Sequence, residues 1–350
     1  MVFVSNTALS KSNGGGFGKV LNIVLNNAIY ILIFVSVIAI QSINPNFLRI
    51  PSIVNIVSQT AAYLPVALGV AGCVVLTGTD LSAGRMIGLS ACISASLLQS
   101  LTNPNKMWVN IGVLPVPLVV VMVMLMGAMF GAFNGFFVSK FKLHPFIVTL
   151  GTQMILYTLL LVYVQMGNNK GSAIAGLDRS YSNFVTGSLF KIGTTPVPNY
   201  IWISLVSCVV MWFIWNKTTL GKNMFALGSN EEAARVSGVN VMLTNVLVFA
   251  MAGAYYGLSG FIEGARVNSN TQSTGLNYEL DAIAACVIGG VSFVGGIGKI
   301  SGVVVGVFLL RLIFVGLTMV RVDQNYFSLI KGIIILVAVA LDMRKYRVNK

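Results

Sequence analysis

The sequence predicts an all-α, polytopic membrane protein of about ten transmembrane helices, with some segments broken or re-entrant. Three observations predict it. Of 350 residues, 56% are hydrophobic and 9% charged, whereas soluble domains carry about 25% charged residues. The apolar residues fall in runs of the length a helix needs to cross hydrocarbon, about 20 residues. Polar and apolar residues do not alternate over about ten positions, as they would in a spanning strand. A single soluble core cannot bury so much apolar surface at this length.

The helices are expected near 20–43, 53–76, 86–102, 113–138, 145–166, 200–216, 244–262, 281–297, 300–320 and 327–342. The first is charge-free and follows Lys11 and Lys19. It is longer than a signal-peptide core, and no small-residue cleavage site follows it. It reads as a spanning helix behind a flexible tail, 1–19. The eighth, rich in Gly, suits a broken or re-entrant segment, which is tolerable only where protein or water covers its backbone. Residues 20–342 form the transmembrane domain, and 343–350 form a basic tail. Two hydrophilic stretches interrupt the domain, 167–199 and 217–243.

Ten crossings put both termini on one side. That side carries Lys11, Lys19, Arg85, Lys140, Lys142, Lys217, Lys222, Arg235, Lys299, Arg344, Lys345, Arg347 and Lys350. The other carries Arg49, Lys106, Lys170, Arg179, Lys191, Arg266 and Arg321, with Arg311 and Lys331 inside spans near their ends. Lys and Arg accumulate in cytoplasmic loops, so both termini and 217–243 are expected in the cytoplasm. The same bias accounts for the net charge of +13. Nucleic-acid binding would need a basic face on a folded soluble domain, and none is present.

The loop 217–243 has the marks of a short helix, about 230–237. Ser229 followed by Glu232 fits a capping box. Glu231 and Glu232 then lie in the first turn and Arg235 in the last, as the helix dipole favours. Gly238 suits a left-handed C′ position. Such a helix serves either as a solvated connector or as a rigid lever docking on a cytoplasmic partner, and Ala233 and Ala234 would let another surface come close.

The stretch Gly228-Ser229-Asn230-Glu231-Glu232-Ala233-Ala234-Arg235-Val236-Ser237-Gly238 resembles the ATPase-contacting loop of ribose/galactose-type sugar ABC permeases. Thr77-Gly78-Thr79-Asp80-Leu81-Ser82-Ala83-Gly84-Arg85 resembles that family's Gly-x-Asp-Leu-Ser signature. Pro145 to Thr152, with Thr149 and Gly151, and Glu279 to Phe293 followed by Gly295-Gly296-Ile297-Gly298, resemble two further family stretches. The similarity runs from about residue 20 to the C-terminus, and together these motifs are specific where each alone is weak.

The resemblance implies a sugar importer working as a dimer of permeases in the bacterial inner membrane. It implies two ATPase domains or a tandem ATPase subunit, with ATP and Mg on that partner and no cofactor on this chain, and a periplasmic sugar-binding protein. Galactose or methyl galactoside is the favoured cargo. Thr79, Asp80, Ser82, Gly84, Thr149 and Gly151 become candidate pathway or gating residues. Arg49, Glu263, Arg266, Glu279 and Arg321 become candidate docking residues for the binding protein, or ordinary solvated loop charges.

Other chemistries find little support. A phosphate loop needs Gly, four residues, then Gly-Lys-Ser/Thr, and neither Lys222 nor Lys299 meets it. Gly296-Ile297-Gly298-Lys299-Ile300-Ser301-Gly302 only approximates a dinucleotide fingerprint and lacks a soluble βαβ unit; close helix packing explains it better. Cys73, Cys92, Cys208 and Cys286 lie in separate apolar runs with no metal or disulfide spacing. The sole histidine, His144, sits beside Lys142 and Pro145 at a run boundary. The acids Asp80, Glu263, Glu279, Asp281, Asp323 and Asp342 are expected at helix ends and in loops, so proton coupling has no mid-span acid to use. An ion-coupled secondary transporter remains the alternative, followed by a membrane-embedded enzyme or channel.

Overall fold

A computed structural model describes residues 28–347. The tail 1–19, the opening of the first expected helix and Lys350 lie outside the described residues. The helices are α1 (Ala28–Ile43), α2 (Ile50–Val75), α3 (Ala83–Leu97), α4 (Val116–Phe141), α5 (Pro145–Gln165), α6 (Arg179–Val185) and α7 (Tyr200–Lys217). They continue with α8 (Thr219–Ser229), α9 (Glu231–Val236), α10 (Val241–Val267), α11 (Tyr278–Ile288), α12 (Ile300–Met319) and α13 (Asn325–Arg347). Six of them, α2, α4, α5, α7, α10 and α12, are long and apolar enough to cross a membrane. The described apolar parts of α1 and α13, and α3, are shorter. Helix α13 runs on through Arg347, into the basic stretch 343–350.

Proline sets several helix starts. Pro51, Pro117 and Pro145 occupy the first turns of α2, α4 and α5, where a missing N–H costs nothing. His144 accepts from Phe146 N at 3.3 Å and caps α5. Lys142 ends α4 in the left-handed region at φ 50°.

The core is built around α2, buried along most of its length, with α7, α10, α11 and α12 packed on it, while α3 packs on α10. The most extensive crossing is between α4 and α10. A Cβ added at Gly127 would lie 2.0 Å from Gly253 O, and one at Gly253 would lie 2.0 Å from Gly127 O. Lipid gives no hydrophobic drive between helices, so small residues that let backbones meet supply the attraction through close packing. The same logic covers the near-fingerprint glycines: Gly302 lies against Gly289 O, and Gly306 against Ala285 O.

Two segments break the up-and-down pattern. Residues 76–82 run irregularly between α2 and the short α3. Residues 268–277 leave α10 and fold back along α3: Cys92 Sγ faces Thr271 O at 3.6 Å, and Gly84 and Gly88 abut Gly275 and Thr274. Helix α11 then starts deep in the molecule and stops at Ile288. The expected span 281–297 is therefore a half-helix followed by the glycine turns 289–299, where Gly290, Gly295 and Gly296 have positive φ. The reason is backbone geometry: those φ values end a helix.

The segment 167–199 holds α6 and strand pairs. Strand β1 (Ile174–Ala175) pairs antiparallel with β4 (Ser269–Asn270), and β2 (Ser188–Ile192) with β3 (Thr195–Pro198). Asp178 caps α6, accepting from Ser180 N at 2.9 Å and Ser180 Oγ at 2.6 Å. Those bonds hold its carboxyl below the usual carboxylate range. Tyr181 anchors the segment, donating to Phe261 O at 2.5 Å.

Candidate functional site

Three polar features stand out: a capped helix at one end, a hydrogen-bonded knot above it, and a charged cluster in the opposite half.

Helix α9 stands where the sequence placed it, but its cap differs. Asn230 accepts from Ala233 N at 2.9 Å, while Ser229 ends α8 and donates to Phe225 O at 2.8 Å. Asn230 and Ala233 have the N-cap to N3 spacing, and Ser229 is still helical, so its hydroxyl bonds backwards. The far end is a Schellman motif: Gly238 has φ 85°, Gly238 N donates to Arg235 O and Val239 N to Ala234 O, each at 3.0 Å. Arg235 Nη2 meets Glu231 Oε1 at 2.7 Å across one exposed turn. Val236 is 89% exposed, an apolar side chain at the tip of a rigid knob. Sequence reading missed α8, which carries the knob. Thr218 starts α8 by accepting from Gly221 N at 3.3 Å.

The knob is tied to the transmembrane core through glycines. A Cβ at Gly228 would fall 1.9 Å from Val75 O and 2.7 Å from Gly296 N, and Gly296 N donates to Val75 O at 2.9 Å. The ends of α8 and α2 and the turn 289–299 thus meet at one point. Beside it opens a cleft of about 920 Å³ lined by Thr77, Lys142, His144, Glu231, Glu232 and Arg235 among others.

Above that junction the irregular 76–82 stretch is knotted to α4 and α5. Asp80 is fully buried; its Oδ1 accepts from Ser82 N at 2.9 Å and Ser82 Oγ at 2.6 Å. Ser82 Oγ accepts from Asn134 Nδ2 at 3.2 Å, and Thr152 Oγ1 donates to Asn134 Oδ1 at 2.5 Å. Thr149 Oγ1 donates to Thr79 O and accepts from Leu81 N, both at 3.2 Å. Thr79, Asp80, Ser82 and Thr149 therefore come together, joined by Thr152, the last residue of the Pro145–Thr152 stretch, and by Asn134, which sequence reading had not named. A lone polar residue in an apolar run, as Asn134 is, was the available signal. Gly151 is not part of the knot; it is exposed on α5. Gly84 sits apart too, its Cβ position blocked by Glu279 and Gly275.

The charged cluster overturns several placements. Glu263 and Glu279 are buried, at 4% and 6% exposure, so they are not solvated docking charges. Arg266 grips Glu263 with Nε and Nη2, each at 2.8 Å, and reaches Gln59 Oε1 at 3.3 Å. Tyr278 donates to Glu263 Oε1 at 2.5 Å and stacks on Tyr63 with ring centroids 4.4 Å apart. The Arg311 guanidinium covers the Tyr63 ring at 3.5 Å and donates to Asp281 at 2.6 Å, and Lys331 reaches the other Asp281 oxygen. Arg311 is not near a span end: it lies roughly 16 Å along a helix roughly 30 Å long. Asp281 is likewise interior. Arg85 is not in an end loop either; it donates to Gln272 O at 3.2 Å and lies over Tyr157. Apart from Glu263–Arg266, which share α10, sequence cannot see the pairings of the charged cluster, because its members come from five helices, α2, α10, α11, α12 and α13. Arg49 and Arg321 are the two docking candidates left exposed. They share one edge, where Asn44 Nδ2 donates to Met319 O at 3.0 Å.

These features define a polytopic, all-helical membrane permease with a structured knob at one end. The chain belongs to the family described as the permease component of the branched-chain amino acid transport system, whose model matches residues 52–339. It is 41% identical to the galactose/methyl galactoside import permease protein MglC of Haemophilus influenzae, over 95% of this chain and 98% of that protein. It is 42% identical to MglC of Escherichia coli, over 92% and 95%, and 35% identical to the ribose import permease protein RbsC of Bacillus subtilis, over 89% and 91%. No solved structure matches it.

Proposed function

We propose that this chain is the membrane-spanning subunit of an ATP-binding-cassette importer that carries a monosaccharide, galactose or a methyl galactoside, from periplasm to cytoplasm. The observation that carries this reading is the graded likeness. Relatives named as galactose/methyl galactoside permeases reach 40–42% identity, and those named as ribose permeases 33–35%. ATP is hydrolysed by a separate subunit, two ATPase domains or a tandem ATPase, which holds ATP and Mg. A second copy of this chain and a periplasmic sugar-binding protein complete the complex, in the bacterial inner membrane with both termini cytoplasmic.

On this reading α9 is the lever. The exposed Val236 and the Glu231–Arg235 face dock on the ATPase, and Gly228 against Val75 passes displacement to α2. A switch between inward- and outward-open states requires partners that bind the two states unequally, here ATP on one side and the loaded binding protein on the other. On the same reading the exposed Arg49 and Arg321, at the end opposite α9, dock the binding protein.

The test is uptake by proteoliposomes holding this chain with its ATPase and binding protein. Uptake of labelled galactose that requires ATP, is blocked by vanadate and is competed by methyl galactoside better than by ribose is the expected result. Uptake by the permease alone, driven by an ion gradient without nucleotide, overturns the reading in favour of a secondary transporter.

A further inference from the structure

Helix α2 carries a polar stripe. Asn55, Gln59 and Tyr63 recur every four residues, so they lie along one face. Gln59 is roughly 14 Å and Tyr63 roughly 20 Å from the start of the helix, depths inside a hydrocarbon layer of about 30 Å. Asn55 is exposed, and Gln59 and Tyr63 are half-buried. The same helix exposes Ile53 and Val57 on another face. Helix α2 therefore presents one apolar strip and one polar strip.

The polar strip adjoins the charged cluster, which is also open on one side. Arg266 and Lys331 keep 21% and 18% of their side-chain surface exposed. Arg266 bonds Gln59, roughly 14 Å along α2, and an ionised side chain facing lipid at such a depth is costly. The open side is therefore covered by water or by protein, not by lipid. It also borders the irregular stretch 268–277 and the start of α11, and non-helical backbone at membrane depth is tolerated where it lines an aqueous cavity or is buried in protein. Charges of both signs interleave there: Glu263, Glu279 and Asp281 stand among Arg266, Arg311, Lys331 and Arg85. Such a wall presents no block of one sign. Amide, guanidinium, carboxylate and phenol in close array are donors and acceptors suited to adjacent hydroxyls, and among the described residues Gln59 Nε2 has no protein acceptor.

We propose that Asn55, Gln59, Arg266 and Tyr278 line the solute path and contact a neutral polyhydroxylated solute in transit. The assignment rests on the import reading and adds residues to it.

The test uses the full reconstituted complex and a membrane-impermeant, water-soluble methanethiosulfonate. The four native cysteines are buried, so they give little background. Asn55→Cys and Gln59→Cys each report on the stripe, and Leu125→Cys, 60% exposed on α4, reports on the apolar periphery. Both stripe variants are expected to react at least tenfold faster than Leu125→Cys in one nucleotide state, and saturating galactose should slow them at least threefold. Gln59→Ala should raise the KM for uptake severalfold while leaving the amount of assembled complex unchanged. If the unmodified complex imports galactose but both stripe cysteines stay as unreactive as Leu125→Cys with and without vanadate-trapped nucleotide, the path assignment falls and the import reading stands. If the unmodified complex moves no galactose, both fall.

Discussion

Arg311 of α12 donates to Asp281 of α11 at 2.6 Å, near the middle of the membrane-spanning bundle, with both side chains about nine-tenths buried. The pair joins a full-length helix to a half-helix. Lys331 of α13 shares the same carboxylate, and Tyr63 of α2 lies under the guanidinium. One acid thus organises four helices.

Asp281→Asn leaves two cations sharing no anion. Breaking a buried pair by removing one partner costs about 3–5 kcal/mol. Detergent-solubilised Asp281→Asn should therefore melt well below the parent chain. Asp281→Leu combined with Arg311→Met and Lys331→Met should recover at least half of the loss, because both uncompensated charges go with their partner. Strictly additive losses would mean that the pair is not coupled.

At the other end, Val236→Asp places a charge on the tip of α9. Burying a Val side chain contributes about 1.5–3 kcal/mol, so affinity for the ATPase should fall roughly 10- to 150-fold, with membrane insertion and permease melting unchanged. Pull-down titration measures it. Equal affinity would show that no partner covers this tip.

Glu231→Lys reverses the charge at the start of α9 and breaks its pair with Arg235. Transport by the reconstituted complex should drop while the protein still inserts. Unimpaired transport would remove α9 from the coupling path.

Gly127→Leu forces α4 away from α10, since even a Cβ would lie 2.0 Å from the opposing backbone. Overpacking of this kind costs about 1–3 kcal/mol or more. A melting temperature within a degree of the parent would show that the two helices separate without cost.

Asn134→Leu cuts the knot between Ser82 and Thr152 and leaves the buried Thr152 hydroxyl without its acceptor, at about 1–3 kcal/mol. Proteolysis between α2 and α3 should speed up, and Asn134→Asp should restore protection in part.

The long apolar runs were legible because lipid imposes a length on a full crossing, whereas the eighth, 281–297, holds only the half-helix α11; α9 was legible because Glu231, Glu232, Arg235 and Gly238 are local signals. Its N-cap was misassigned by one residue, since Ser229 and Asn230 are both competent caps and only the continuation of α8 through Ser229 chooses between them. Helix α8 itself was invisible: Thr219–Ser229 is short and mixed in polarity, without a long apolar period. The motif residues Thr79, Asp80, Ser82 and Thr149 were named from resemblance, and the structure joins them through Asn134 and Thr152.

What the sequence determined alone was the solvent, the helical class, the number of apolar runs and the local helix caps. These follow from composition, hydrocarbon thickness and backbone hydrogen bonding, which act within one turn or one span. What only the tertiary structure decided was the depth of the charges. Asp281 and Glu263 look terminal when counted along the chain, but both are buried, and the segment before α11 folds back along α3. A charge at that depth persists only beside its counter-charge, and that neighbour is chosen by packing rather than by sequence distance.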